Sequence, residues 1–304
     1  MRVLVLGATG DQGRPQVDAA RAAGHHVLAG ARDPARATTV LGAGIECVAI
    51  DYADAATLSA AMQGVDVVLA NYPSSSFNDG EWLIAAARLA GHVAGAERVG
   101  LIVFNMSLPQ RERLLGYRAH DVRFAMREAL GAAGVPVTAL CPVVFMGNLL
   151  RGWAFPHIVD HDQFVYPHAA ELEVSWICQE DLARLMLSAA TRPALAGRVL
   201  MVGGPQVLRG ADVAAILSEA TGRTIQFVSQ SVRDFCDAMR AQIKGGSNAE
   251  REQMIGELDR IYRWYNESPD QPFKVDMRPV LDLLPVTLTP MRDWARAQRW
   301  TLGA

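Results

Sequence analysis

Val3-Leu4-Val5-Leu6 runs straight into Gly7-Ala8-Thr9-Gly10-Asp11-Gln12-Gly13, and a helical pattern over Arg14–Ala23 starts at once. A buried strand, a glycine turn and a helix in that order leave few folds open. It is the opening unit of a parallel sheet that receives a dinucleotide at the helix N-terminus. Gly7 permits the tight turn, Gly10 lets backbone approach a pyrophosphate, and Gly13 allows the helix to pack closely on the strand. Free N–H groups at the helix start attract the anion. The turn thus supplies Gly7, Thr9, Gly10, Asp11, Gln12 and Gly13 as cofactor-binding candidates. Asp11 is out of character there, since a carboxylate beside a phosphate repels it unless it points to solvent.

The pattern then repeats. Apolar runs at His26–Ala31, Cys47–Ile50, Val67–Asn71, Val99–Asn105 and Val137–Leu140 alternate with helix-length segments, and Gly24, Gly64 and Gly134 stand where helices would stop. Strands apolar on both faces fit an α/β fold, a Rossmann doubly wound parallel sheet between helices. The expected division is a dinucleotide-binding domain over 1–150 and a smaller C-terminal α/β domain over 151–304, with 174–203 returning to the first. Past Pro142 the stretch from Trp153 to His168 lacks periodicity and reads as loop and wall. Helices are expected at Glu180–Ala190 and Ala211–Thr221, and a strand near Val199–Val202. A helix over Ser247–Glu267 opens on a Ser247/Glu250 capping box, with Met254, Ile255, Leu258, Ile261, Tyr262 and Tyr265 as its packing face.

Composition narrows the function. A chain of 304 residues with 50% hydrophobic content can bury one large core or two. Its 29 basic and 32 acidic residues give a net charge of -3, so no global positive field favours nucleic acid or an anionic membrane. No run reaches the roughly 18 apolar residues of a bilayer span, and a cytoplasmic protein is expected. The four cysteines, Cys47, Cys141, Cys178 and Cys236, are dispersed, which fits buried reduced thiols and no zinc site. His157-x-x-x-His161 pairs for a metal only on a helix, and Pro156 with its aromatic neighbours argues against one. Only Lys244 and Lys274 among the basic residues are lysine. No lysine in the first 243 residues is therefore present to activate a tyrosine.

Strand ends carry the remaining candidates. Arg32, closing the second strand ahead of Asp33-Pro34, stands where an acidic residue would hold the ribose of NAD; an arginine there favours the 2'-phosphate of NADP. Asp51 and Tyr52 follow the third strand, facing the adenine edge, with Asp51 or Asp54 equally suited to capping the next helix. Asn71, Tyr72 and Pro73 follow the fourth, Asn105 and Ser107 the fifth, and Pro142 the sixth. Asn105 or Ser107 is placed to orient a substrate carbonyl or to cap a helix.

These motifs resemble the NmrA-like branch of the atypical short-chain dehydrogenases/reductases. The likeness extends through Gly134-Val135-Pro136-Val137-Thr138-Ala139-Leu140-Cys141-Pro142, Phe145-Met146-Gly147-Asn148-Leu149, Trp176-Ile177-Cys178-Gln179-Glu180-Asp181-Leu182-Ala183 and the closing Leu288-Thr289-Pro290-Met291-Arg292-Asp293-Trp294. The resemblance implies an NADP-binding domain, a smaller substrate domain and a cleft between them. It implies an NADPH-dependent reductase of a small apolar or aromatic carbonyl, quinone or conjugated compound, or a catalytically silent NADP(H)-sensing regulator that binds a partner protein. A homodimer is left open. Phe145, Met146, Asn148, Trp153, Phe155 and Trp176 are the expected pocket residues. Where the wider superfamily has Tyr-x-x-x-Lys, this chain has Tyr117-Arg118-Ala119-His120-Asp121, so the dyad is missing. The branch often keeps a lysine or histidine on that helix, and the corresponding residue is Arg123, with His120 a turn away. Catalytic candidates are Asn105, Ser107, Tyr117, His120 and Arg123.

Overall fold

The computed structural model describes residues 1–73, 80–109, 113–242 and 247–301. They form two compact units. The first comprises Met1–Pro142, Gln179–Val202 and Arg278–Thr287; the second comprises Val143–Cys178, Gly203–Met277 and Leu288–Ala304.

In the first unit β1 (Arg2–Leu6), α1 (Gly13–Ala22), β2 (His26–Ala31), α2 (Pro34–Leu41), β3 (Glu46–Ala49), α3 (Ala55–Met62), β4 (Val67–Ala70), α4 (Gly80–Ala96), β5 (Leu101–Asn105), α5 (Arg118–Gly131) and β6 (Val137–Pro142) alternate among the described residues. After the excursion into the second unit, α7 (Gln179–Ala190), β8 (Val199–Val202) and α11 (Arg278–Leu283) complete it. All pairings in the seven-stranded sheet are parallel, in the order β3-β2-β1-β4-β5-β6-β8. The winding reverses at β1, between β2 and β4, which is where a doubly wound sheet opens a crevice at its strand ends. The sheet's central strands are apolar because both faces are covered. Leu4, Leu6, Leu28, Ile102 and Phe104 join Leu58, Leu83, Met126 and Leu130 from the helices in one buried cluster, each such side chain contributing roughly 1.5 to 3 kcal/mol.

Local chemistry sets the helix starts. Asp33 accepts the Arg36 N–H ahead of Pro34, and Asp54 accepts the Ala56 N–H, side-chain caps that each stabilise by about 1 kcal/mol. α5 starts at Arg118, where Asp121 takes the Leu115 and Gly116 N–H groups at 2.8 and 3.1 Å and fixes the entering chain.

The second unit contains a 3-10 turn (Met146–Leu150), α6 (Phe155–His161), β7 (Gln163–Tyr166), α8 (Gly210–Thr221), β9 (Gln226–Ser229), α9 (Val232–Gln242), α10 (Asn248–Glu267) and α12 (Met291–Arg296). The stretch read as loop is thus a helix followed by a strand. β7 pairs in parallel with β9, a partner some sixty residues on that no local pattern announces. The Ser247/Glu250 capping box forms as expected. Its packing face is partly realised: Ile255, Ile261 and Tyr265 are buried. Cys47 is half-exposed, while Cys141, Cys178 and Cys236 are buried, and all four are free thiols. No helix among the described residues is long and apolar enough to cross a membrane.

Candidate functional site

The glycine turn closes as its sequence requires. Gly7 adopts φ +67°, a left-handed conformation that costs other residues roughly 1 to 2 kcal/mol. The Gly10 N–H donates to the Gly7 carbonyl at 3.0 Å, and the Arg14 N–H to the Gly10 carbonyl at 2.9 Å. A Cβ on Gly13 would sit 2.2 Å from the Gly7 oxygen, so only glycine lets α1 rise this close to the turn. At Gly10 a Cβ would meet only that same oxygen, at 3.3 Å. Gly10 is exposed, and Thr9 and Asp11 beside it are exposed too. The turn is therefore a cradle of bare backbone with the α1 N-terminus at its floor, which fits a pyrophosphate.

Beneath the cradle runs a network of carboxamides. Asn71, directly after β4, donates from Nδ2 to the Leu6 carbonyl at 3.0 Å and to Gln16 Oε1 at 2.8 Å. Its Oδ1 accepts from Gln16 Nε2 and from Asn105 Nδ2, both at 2.9 Å. Asn105 also donates to Gln12 Oε1, which takes a second hydrogen bond from Ser107 Oγ at 2.8 Å. Three elements, the start of α1 and the ends of β4 and β5, are thereby pinned to one another. Asn105 and Ser107, expected to face a substrate carbonyl or cap a helix, are instead engaged here: Asn105 is buried, and its Oδ1 accepts the Ser107 N–H at 2.9 Å. Gln16 is not among the residues expected from the sequence. Its signal was a polar residue on the buried face of α1, beside Val17 and Ala20.

Tyr52 and Tyr72 also turn inward. Tyr52, expected at the adenine edge, is buried, and its hydroxyl donates to the Asn71 carbonyl at 2.8 Å. Its ring lies 5.0 Å from that of Tyr72, which packs edge-on to Phe104. Burial holds both phenols well above the ordinary tyrosine pKa, with the Arg32 charge pulling Tyr52 the other way. Asp51 remains exposed, and its carboxylate accepts the Ala53 N–H at 2.9 Å, leaving the α3 cap to Asp54. Pro73 is half-buried after Tyr72, and Pro142 closes β6 in the core.

Arg32 stands exposed just past β2, in no hydrogen bond or ion pair among the described residues. The neighbouring carboxylate, Asp33, accepts the Arg36 N–H at 3.0 Å as the α2 cap. An unengaged guanidinium beside an engaged carboxylate suits a phosphate.

On α5 the catalytic candidates separate. Tyr117 is half-buried at the N-cap, its ring 6.4 Å from that of His120. His120 is fully buried, and burial pulls its pKa down to about 4, so it is neutral at pH 7. Arg123 is 1% exposed, and burial lowers its pKa to about 10 against the opposing influence of Tyr72, so it stays charged. Asp121, in the lysine position, is committed to the two backbone N–H groups before the helix.

In the second unit, Phe145, Met146 and Trp176 are buried. Trp176 belongs to an aromatic cluster with Phe164, Tyr166 and His168, which makes it core, not an exposed pocket wall. Asn148 donates to the Tyr166 hydroxyl at 3.2 Å, and Phe155 stacks on Trp300. Trp153 does face open space: with Pro156, His157, Phe235 and Met239 it lines a cleft of about 130 Å³ whose lining carries no Asp, Glu, Lys or Arg. His157 and His161 lie on α6 after all, with rings 6.0 Å apart. Pro156 sits in the helix's first turn, where its missing N–H costs nothing. Among the described residues no group of three or more potential metal ligands comes together.

The model of the NmrA-like family matches residues 1–282 of the chain. NAD(P)H azoreductase from Xenophilus azovorans is 31% identical over 239 residues, covering 78% of this chain and 80% of that protein. The crystal structure of an NADPH-dependent quinone oxidoreductase from Escherichia coli, complexed with NADPH, superposes with a TM-score of 0.73 at 19% identity, covering 97% of this chain and 98% of that one. NmrA, a negative transcriptional regulator solved in complex with NADP, also gives 0.73 at 16% identity, over 97% of this chain and 94% of the other. Both structures share the fold described above.

Proposed function

Since this chain belongs to the NmrA-like family, we propose that it is an NADPH-dependent reductase of a small apolar carbonyl, quinone or conjugated acceptor. The carrying observation is Arg32: exposed, unengaged by any hydrogen bond or ion pair among the described residues, and flanked by an Asp33 already spent on capping. The backbone of Gly10 to Gly13 and the α1 N-terminus would hold the pyrophosphate, and Arg32 the 2'-phosphate. Bound NADPH supplies the hydride from its nicotinamide ring.

The chain's own residues place the reaction and do little proton chemistry. The carboxamide network fixes the turn against the ends of β4 and β5, which lowers the cost of ordering a bound dinucleotide. Buried Tyr52 and Tyr72 keep their protons, and Tyr117 has no lysine beside it in sequence. His120 is neutral and enclosed, so water is the source of the proton that completes reduction. The charge-free cleft lined by Trp153, Phe235 and Met239 suits an uncharged, flat acceptor, in keeping with the azoreductase and quinone oxidoreductase names of the relatives.

One observation favours the second reading, a cofactor-sensing regulator without turnover: Asn105 and Ser107, the polar side chains at the end of β5, are engaged internally. Calorimetric titration with NADPH and NADH, followed by NADPH oxidation with a panel of quinones, azo compounds and enones, separates the two. Arg32→Ala is expected to weaken NADPH roughly tenfold or more while leaving NADH nearly unchanged. Equal losses for both cofactors refute the assignment of Arg32, and tight NADPH binding with no oxidation by any acceptor decides in favour of the regulator.

A further inference from the structure

Gln12 stands between Gly10 and Gly13, at the N-cap of α1, yet its side chain makes no cap hydrogen bond. It reaches instead to the end of β5. The orientation of its carboxamide follows from the backbone. The Ser107 N–H, a donor that cannot be anything else, points at one end of the Asn105 carboxamide, which must therefore be the oxygen. Asn105 accordingly presents its NH₂ to Gln12 and to Asn71. Gln12 must answer with its oxygen, which also accepts from Ser107 Oγ. Its Nε2, with two donors, has no hydrogen-bond partner among the described residues and belongs to a half-exposed side chain. The lock is held at a cost. Ser107 adopts φ +57°, a left-handed backbone that a serine rarely takes, and strain of this kind persists where surrounding contacts over-determine it.

Resting on the NADP-binding reading, we propose that Gln12 is a positioning residue whose Nε2 donates to the nicotinamide-side phosphate of the dinucleotide. The sheet order assigns the side. Arg32 closes β2 on one flank of β1, whereas Asn105 and Ser107 lie at the end of β5 on the other, beyond β4. A carboxamide drawn toward β5 serves the half of the dinucleotide that lies away from the adenosine 2'-phosphate.

Calorimetry with two ligands tests this: NADPH, and adenosine 2',5'-bisphosphate, which lacks the nicotinamide-side phosphate. Gln12→Met removes both the acceptor and the donors; Gln12→Glu keeps the oxygen that Asn105 and Ser107 need and turns a carboxylate oxygen toward the phosphate instead. Gln12→Met is expected to weaken NADPH roughly tenfold, with Gln12→Glu weaker still and the bisphosphate held within about twofold by Gln12→Met. Equal losses for both ligands, or unchanged NADPH affinity in Gln12→Glu, overturn the proposal in favour of a turn-stabilising role. Wild-type protein that binds neither ligand overturns the NADP reading and this inference with it, a result the wild-type titration alone makes plain.

Discussion

Replacing Asn71 by leucine keeps the side chain's approximate volume and removes every hydrogen bond it makes. Four are lost: those to the Leu6 carbonyl and Gln16 Oε1, and those from Gln16 Nε2 and Asn105 Nδ2. The consequences are unequal. Asn105 keeps Gln12, and Gln16 Nε2 keeps the Met186 sulphur at 3.1 Å. The Leu6 carbonyl and Gln16 Oε1 are left buried and unmatched, each costing about 1 to 3 kcal/mol. The expected loss is thus roughly 2 to 6 kcal/mol, which lowers the thermal midpoint by on the order of 10 °C. Urea and thermal unfolding followed by circular dichroism measure it. A double-mutant cycle sharpens the test: with Gln16→Leu also present, the orphaned Gln16 Oε1 disappears, and the double variant should lose at least about 1 kcal/mol less than the two single losses combined. A loss under about 1 kcal/mol for Asn71→Leu, or strict additivity in the cycle, would refute the claim that these carboxamides act as one buried network.

Gly13→Ala puts a Cβ 2.2 Å from the Gly7 oxygen and should destabilise the fold, whereas Gly10→Val should leave folding nearly intact and abolish NADPH binding; a folded Gly10→Val protein that still binds NADPH would be the contrary result. Buried His120 and His168 have pKa values pulled down to about 4 and about 3 from 6.5. Between those values and 6.5 the unfolded chain binds protons that the folded chain excludes, so stability should fall as pH drops through that window. His120→Phe should flatten the fall in a pH series of denaturation midpoints, and an unchanged slope would count against a neutral buried His120. If the protein turns over, Tyr117→Phe should cost far less than the 10²- to 10⁴-fold typical of a lost general acid. A folded, cofactor-binding Tyr117→Phe protein with no NADPH oxidation would make that phenol the proton donor.

The strands of the seven-stranded sheet, the glycine turn and the capping box at Ser247 were legible in the chain because each is written within a few residues. Apolar runs, turn glycines and side-chain caps act over one or two turns, and their chemistry does not wait for the rest of the fold. Arg32 belongs to the same class, since its place follows from where a strand ends. What only the tertiary structure decided is what the polar side chains at those ends face. Gln12 and Ser107 are separated by 95 positions and Gln16 and Asn71 by 55, so no local pattern couples them. Parallel strands that all end on one edge bring them together, and burial then obliges each carboxamide to find a partner. The same pressure turned Tyr52 inward to the Asn71 carbonyl. It also gave β7 a strand partner, because the backbone of an isolated strand cannot be buried until a distant segment supplies the hydrogen bonds it lacks.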